Sequence, residues 1–193
     1  MVIGITGPSG AGKSELALLF RKTHQIIDAD QVYYDLMSTE LGADMQARLL
    51  LEFGTLDRRE LRKIAFSDDK HELINSITHP YVLAEIKKRL TPNCIIDAPL
   101  LFESNADSIC DITIAVVANN ANLVQRIVAR DKLDKKDAKQ RLQAQKDANW
   151  YARRATYIIL NNDKREELLI QWETINRKLQ SMEEHLTLQR SAI

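Results

Sequence analysis

Cysteine is scarce. The chain has 2 cysteines in 193 residues, Cys94 and Cys110, and they form no Cys-x-x-Cys pair and no zinc spacing. Both lie on or beside apolar runs, which reads as small buried hydrophobes in a reducing compartment. Neither sign of charge prevails: 27 Lys and Arg balance 27 Asp and Glu. That balance argues against a protein that coats nucleic acid or an acidic membrane. Long hydrophobic runs are missing too. A stretch such as Ile114 to Ala118 falls far short of the ~20 residues of a membrane span. The start, Met1 running into Val2-Ile3-Gly4-Ile5-Thr6, has no basic segment before a long apolar one. The expectation is a cytoplasmic protein with no membrane and no nucleic-acid partner.

Hydrophobic residues at 45% and charged residues at 28% are globular values. No repeat or low-complexity segment interrupts the chain. Short apolar runs alternate with longer helical patterns. Val2 to Thr6, Gln25 to Asp28, Cys94 to Asp97, Ile112 to Ala118 and Thr156 to Leu160 read as strands. Ser14 to Lys22 reads as a helix. The stretch from Gln31 to about Lys88 reads as several helices with breaks near Gly42, Gly54 and His79-Pro80. Asn119 to Arg154 is charged and helical, and Lys164 to Leu188 reads as one long helix. Strands alternating with helices predict an α/β fold with a parallel sheet. The division that follows is a core of residues 1–35, 92–118 and 155–193. Residues 36–91 form an inserted helical substrate domain, and residues 119–154 form a lid. Leu168, Trp172, Ile175, Leu179, Met182 and Leu186 make a heptad-like stripe on the last helix. It suits packing on the chain's own sheet, or else a partner helix; a monomer is expected.

Gly7-Pro8-Ser9-Gly10-Ala11-Gly12-Lys13-Ser14 fits G-x-x-x-x-G-K-[ST], and it leaves a strand to enter a helix. Glycines let the backbone curl so that N–H groups converge on an anion, and the helix adds its positive end. Lys13 can reach the β- and γ-phosphates, and the Ser14 hydroxyl can ligate Mg²⁺. The motif indicates nucleoside triphosphate binding. A GTPase needs Asn-Lys-x-Asp after a late strand, whereas the chain reads Asn161-Asn162-Asp163-Lys164, so a GTP switch is not expected.

Ligands of open α/β sheets gather at the carboxyl ends of strands. Asp28 and Asp30 sit at one such end. Either could serve chemistry or cap the following helix; Asp30 suits a base and Asp28 a cap. Asp97 looks like a Walker-B carboxylate, a partner for Mg²⁺. Arg126 and Arg130 are four apart and share a helix face, with Arg141 and Gln145 downstream. Arginines closing over a transferring phosphoryl group would stabilise its charge; the plain alternative is solvated arginines paired with Asp131, Asp134 or Asp137.

Several segments together resemble the dephospho-coenzyme A kinase family. They are Gly4-Ile5-Thr6-Gly7 with the P-loop, Ile27-Asp28-Ala29-Asp30, Leu56 to Arg62 (Leu-Asp-Arg-Arg-Glu-Leu-Arg) with Phe66, and Ile77-Thr78-His79-Pro80. Asp97-Ala98-Pro99-Leu100-Leu101-Phe102-Glu103 and the Arg126/Arg130-Asp131 group with Gln145 complete the set. The resemblance spans residues 2 to 162. It implies a three-layer P-loop kinase fold with a helical insertion and a lid. It implies transfer of the ATP γ-phosphoryl group to the 3′-hydroxyl of dephospho-CoA, the last step of CoA synthesis, with Mg²⁺.

By the same resemblance, Asp30, Lys13 and Arg130 are catalytic. Pro8, Ser9, Gly10, Ala11, Gly12, Lys13, Ser14, Glu15, Arg126 and Asn161 hold ATP. Asp28, Asp30, Tyr34, Arg62, His79, Pro99 and Leu100 hold the acceptor, and Ser14 and Asp97 the metal. Tyr34 and Glu15 stand where the family usually has Arg and Thr, the segment after Gly54 is short, and Asn162-Asp163 lacks a Gly. These departures leave three other readings: a kinase for another hydroxyl acceptor, a nucleotide-binding regulator without turnover, and a tRNA prenyltransferase, to which the P-loop and Asp30-Gln31-Val32-Tyr33 bear a faint likeness. The balanced charge speaks against the last.

Overall fold

The computed structural model of the chain describes residues 1–67, 70–162 and 165–191, with backbone alone at 66, 67 and 185–191. Five strands form one parallel sheet: β1 (Val2–Thr6), β2 (Gln25–Asp28), β3 (Cys94–Asp97), β4 (Ile112–Val117) and β5 (Tyr157–Leu160). Their order across the sheet is β2-β3-β1-β4-β5. Every residue of β3 and β4 is buried, as expected of strands covered on both faces.

The alternation of side chains divides the core. Ile3, Ile5, Ile95, Ile114 and Val116 point to one face, where α1 (Lys13–Leu19) and α9 (Arg165–Ser191) cover them through Leu16, Phe20, Leu168, Ile175 and Leu179. Ile27, Cys94 and Ile96 point to the other. There α2 (Ala29–Ser38), α3 (Ala43–Phe53), α4 (Arg58–Ser67) and α5 (His71–Arg89) contribute Val32, Leu36, Met45, Leu49, Leu61 and Ile86. Ala115 and Val117 of β4 meet Tyr151 of α8 (Ala148–Ala152). The result is a three-layer α/β fold. Between β4 and α8 run α6 (Asn120–Asp131) and α7 (Lys135–Gln143), joined through Val124, Ile127 and Ala138.

The stripe on α9 packs on the chain's own sheet as far as Leu179; Met182 is already 39% exposed, and the Leu186 side chain lies outside the described residues. Near the front of α9, Gln171 reaches the edge strand. Its Oε1 accepts the Leu160 N–H at 2.9 Å and its Nε2 donates to the Leu160 carbonyl at 2.8 Å.

Two expectations need correction. No break occurs at His79-Pro80: α5 runs unbroken from His71 to Arg89 with Pro80 inside it. Pro80 lacks the N–H that would bond the Ser76 carbonyl. Burial of Thr78 on one side and Ile86 on the other holds both halves on the core, so packing overrides local propensity. The first helix also ends at Leu19 rather than Lys22. The chain turns there because the Phe20 carbonyl accepts both the Thr23 and His24 N–H groups at 2.9 Å. The expected breaks at Gly42 and Gly54 are present, with Gly54 at φ 68 ending α3.

Candidate active site

The P-loop leaves the carboxyl end of β1, the central strand, and enters α1. β2 and β3 lie on one side of β1 and β4 on the other, which places the loop at the switch point of the sheet. Gly7 (φ 139), Gly10 (φ 79) and Gly12 (φ 99) take backbone conformations that side chains disfavour. At Gly7 a Cβ would also collide with the Val116 carbonyl oxygen. Lys13 is buried, and its Nζ donates to the carbonyls of Gly7 at 3.0 Å and Pro8 at 3.1 Å. Desolvation lowers the Lys13 pKa, while Asp97 and Asp30 hold it up.

The Ser14 hydroxyl donates to Asp97 Oδ2 at 2.8 Å. Asp97 Oδ1 is buried and has no hydrogen-bond partner. Burial raises the Asp97 pKa, against the Ser14 hydrogen bond and the charge of Lys13. A hydroxyl and a carboxylate with a spare lone pair suit a hard divalent cation. Among the described residues no cluster of three acidic, His or Cys side chains would hold a metal unaided. A cation here would therefore share its coordination with nucleotide phosphates and water.

Asp28 ends β2 and caps α2: its Oδ1 accepts the N–H groups of Asp30 and Gln31. Asp30, in the first turn of α2, keeps contact with solvent, yet the cleft walls desolvate it. That burial raises its pKa; Asp28 adds to the rise, and Lys13, Arg58 and Arg141 oppose it.

Beside Asp30 opens a cavity of about 410 Å³, walled by α2, α4, α5 and the loop after β3. Arg62, His79, Pro99 and Leu100 all line it. Burial lowers the His79 pKa. Tyr34 does not line it. Its ring lies instead against the Arg58 guanidinium, 5.6 Å from centroid to carbon. Arg58 itself lines the cavity, and no local pattern in the sequence marks it.

The α6 arginines reach the loop. Arg130 Nη2 donates to Ser9 Oγ at 3.1 Å and Arg126 Nη1 to the Gly10 carbonyl at 3.4 Å. Arg130 and Arg141 also share Asp131, at 2.7 and 2.6 Å. Asp134 is taken up by capping α7. Gln145, another residue without an assigned role, accepts the Ser9 N–H on its Oε1 at 2.8 Å. Asn161 is buried under the loop and donates to the Ala11 carbonyl at 2.8 Å, which fixes the loop from below. Glu15 pairs with Arg165 at 3.0 Å. Asp163 and the Phe66 side chain lie outside the described residues.

The family model for dephospho-CoA kinase matches residues 1–167. The dephospho-CoA kinase of Moorella thermoacetica is 37% identical over 174 residues, covering 82% of each chain. That of Fusobacterium nucleatum is 32% identical over 179 residues, covering 87% of this chain and 93% of its own. A crystal structure of TT1252 from Thermus thermophilus superposes with a TM-score of 0.75 at 30% identity, covering 93% of this chain and 97% of the other. With the P-loop, the paired strand-end carboxylates and the arginines of α6 in one cleft, the chain belongs to the dephospho-CoA kinase family.

Proposed function

We infer that the cleft transfers the γ-phosphoryl group of ATP directly to the 3′-hydroxyl of the dephospho-CoA ribose, without a phosphoenzyme. Membership of the family makes the chain an ATP-dependent kinase acting in CoA biosynthesis. The observation that carries the direct route is the position of Asp30. It lines the acceptor cavity and lies close enough to the P-loop lysine for each to shift the other's pKa.

The acceptor hydroxyl loses its proton to the Asp30 carboxylate as its oxygen bonds to the γ-phosphorus. The bond from that phosphorus to the β,γ-bridging oxygen breaks, and ADP leaves. Lys13 moves from the Gly7 and Pro8 carbonyls onto the phosphates. Arg130 and Arg126 meet the charge spread over the γ-phosphoryl oxygens and exclude water. Ser14 and Asp97 would hold Mg²⁺, which neutralises charge on the β- and γ-phosphates. Residues 36–91 act as the acceptor-binding insertion; Arg62, His79, Pro99 and Leu100 line the cavity around the acceptor, while Asp28 and Tyr34 stand outside that lining and act on it from behind, Asp28 through Asp30 and Tyr34 through Arg58. Residues 119–154 act as the lid. Pro8 to Glu15 and Asn161 shape the nucleotide site.

Measuring ADP release from Mg·ATP with and without dephospho-CoA, with mass detection of the product, tests this reading. Acceptor-dependent ADP and a product identified as CoA are expected. Nucleotide binding with no acceptor dependence would overturn it and favour a regulator.

A further inference from the structure

Two guanidinium groups face the acceptor cavity with no carboxylate in contact with them among the described residues. Arg58 opens α4 and Arg62 follows one turn later, so the two share a face. Arg89 is paired with Glu85 and Asp35, and Arg130 and Arg141 with Asp131, while Arg126 bonds the Gly10 carbonyl. Among the described residues, the side chains of Arg58 and Arg62 make neither a hydrogen bond nor a close ion pair. Asp30 is the one carboxylate among the residues lining the cavity.

Arg58 is nonetheless fixed. Its guanidinium carbon lies 5.5 Å from the ring centre of Tyr33 and 5.6 Å from that of Tyr34. Two neighbouring rings against a planar cation orient its fork and leave its N–H donors unused. The start of α4 is fixed as well. Asp57 Oδ1 accepts the N–H groups of Arg59 at 2.8 Å and Glu60 at 2.9 Å, and Thr55 Oγ1 donates to Glu60 Oε2 at 2.6 Å. An oriented fork with free donors suits bidentate binding of a phosphate-class anion. No P-loop residue lines this cavity, so that anion is not the phosphate chain held by the loop.

We propose that Arg58, gripped by Tyr33 and Tyr34 and backed by Arg62, binds the diphosphate of the acceptor and so selects for acceptors that carry one. The proposal rests on the dephospho-CoA reading, because that acceptor's diphosphate joins its nucleoside to its pantetheine arm. Tyr34 is 49% exposed and stands outside the cavity lining, so it is a positioning residue.

Initial rates with Arg58→Gln and Tyr34→Leu test it. Arg58→Gln is expected to raise the KM for dephospho-CoA about 10- to 100-fold, the range of a lost charge-assisted hydrogen-bond pair. Tyr34→Leu raises it about 3-fold, because the charge stays and only its orientation is lost. The KM for ATP stays within twofold in both. Adenosine carries the same hydroxyl with no diphosphate, and its inhibition constant is expected to be unchanged by Arg58→Gln. A dephospho-CoA KM that moves less than threefold in Arg58→Gln, or adenosine binding that weakens in step, overturns the proposal. If Arg58→Gln does not fold, Tyr34→Leu carries the test on the same readouts.

Calorimetric titration with dephospho-CoA separates this proposal from the kinase reading. Binding that is lost in Arg58→Gln, with no turnover even in the unaltered protein, would support the arginine site and sink the reaction. Turnover in the unaltered protein with an unchanged KM in Arg58→Gln would sink the arginine site alone. An unaltered protein that neither binds nor turns over dephospho-CoA would sink both.

Discussion

Asp28 Oδ1 accepts the backbone N–H of Asp30 at 2.9 Å. One carboxylate thus starts the helix that carries the next and sets a like charge beside it. Desolvation raises the Asp30 pKa and Asp28 raises it further, against Lys13, Arg58 and Arg141. A base must be ionised to take a proton. The rate is therefore expected to rise with pH through an acid limb lying above the ordinary Asp value of about 4. A pH profile of kcat/KM for dephospho-CoA checks this, and a limb at or below that value would contradict it.

Asp28→Ser separates the cap from the charge. Serine caps a helix about as well as aspartate, so the melting temperature should hold within a degree or two. The like charge is gone, so the Asp30 pKa falls and the acid limb moves to lower pH. Asp28→Ala shifts the limb the same way but also loses about 1 kcal/mol of stability with the cap. Profiles and thermal melts of the two variants, run side by side, give the comparison.

Asp30→Asn keeps the shape of the site and removes the proton acceptor. Turnover should drop by about 10²- to 10⁴-fold, the usual contribution of a positioned base. Binding of ATP, followed by calorimetry, should stay within a fewfold of the unaltered protein. Full activity in this variant would remove Asp30 from the reaction.

Gly7→Ala places a methyl group against the Val116 carbonyl at a backbone φ of 139. The strand end or the loop must move. A loss of about 2 kcal/mol or more in urea unfolding is expected, together with weaker nucleotide binding. A stable variant with normal ATP affinity would show that the loop tolerates another path.

Pro80→Ala restores the one N–H that α5 lacks, at an exposed position in the middle of the helix. Stability should rise by about 1 kcal/mol, less than the full helix penalty of proline because the surrounding turn has already adapted to the ring. Urea unfolding measures it, and a loss of stability would mean that the ring itself fills a needed contact.

Much of this molecule is legible in the sequence. All five strands show as short β-branched runs, and the P-loop declares both its own shape and its place after β1. Asp28, Asp30 and Asp97 follow from the strand ends. What stays hidden depends on contacts between distant segments. The Ser9–Gln145 hydrogen bond joins residues 136 apart, and no local pattern announces it. Arg58 looks like any charged residue at a helix start until α2 brings two tyrosine rings to it. The Asn161 bond to the Ala11 carbonyl joins residues 150 apart and is equally silent in the sequence. Pro80 misleads for the opposite reason, because its local signal is strong and the core on either side is stronger.

The Gln171 carboxamide gives Leu160 one acceptor and one donor, the pair that a neighbouring strand would offer. It acts as a single-residue stand-in for a sixth strand. The outer rim of β5, where Ile158 and Leu160 are exposed, is an open template for strand addition by another chain. By answering that template from within, α9 occupies at Leu160 the backbone groups that an added strand would need.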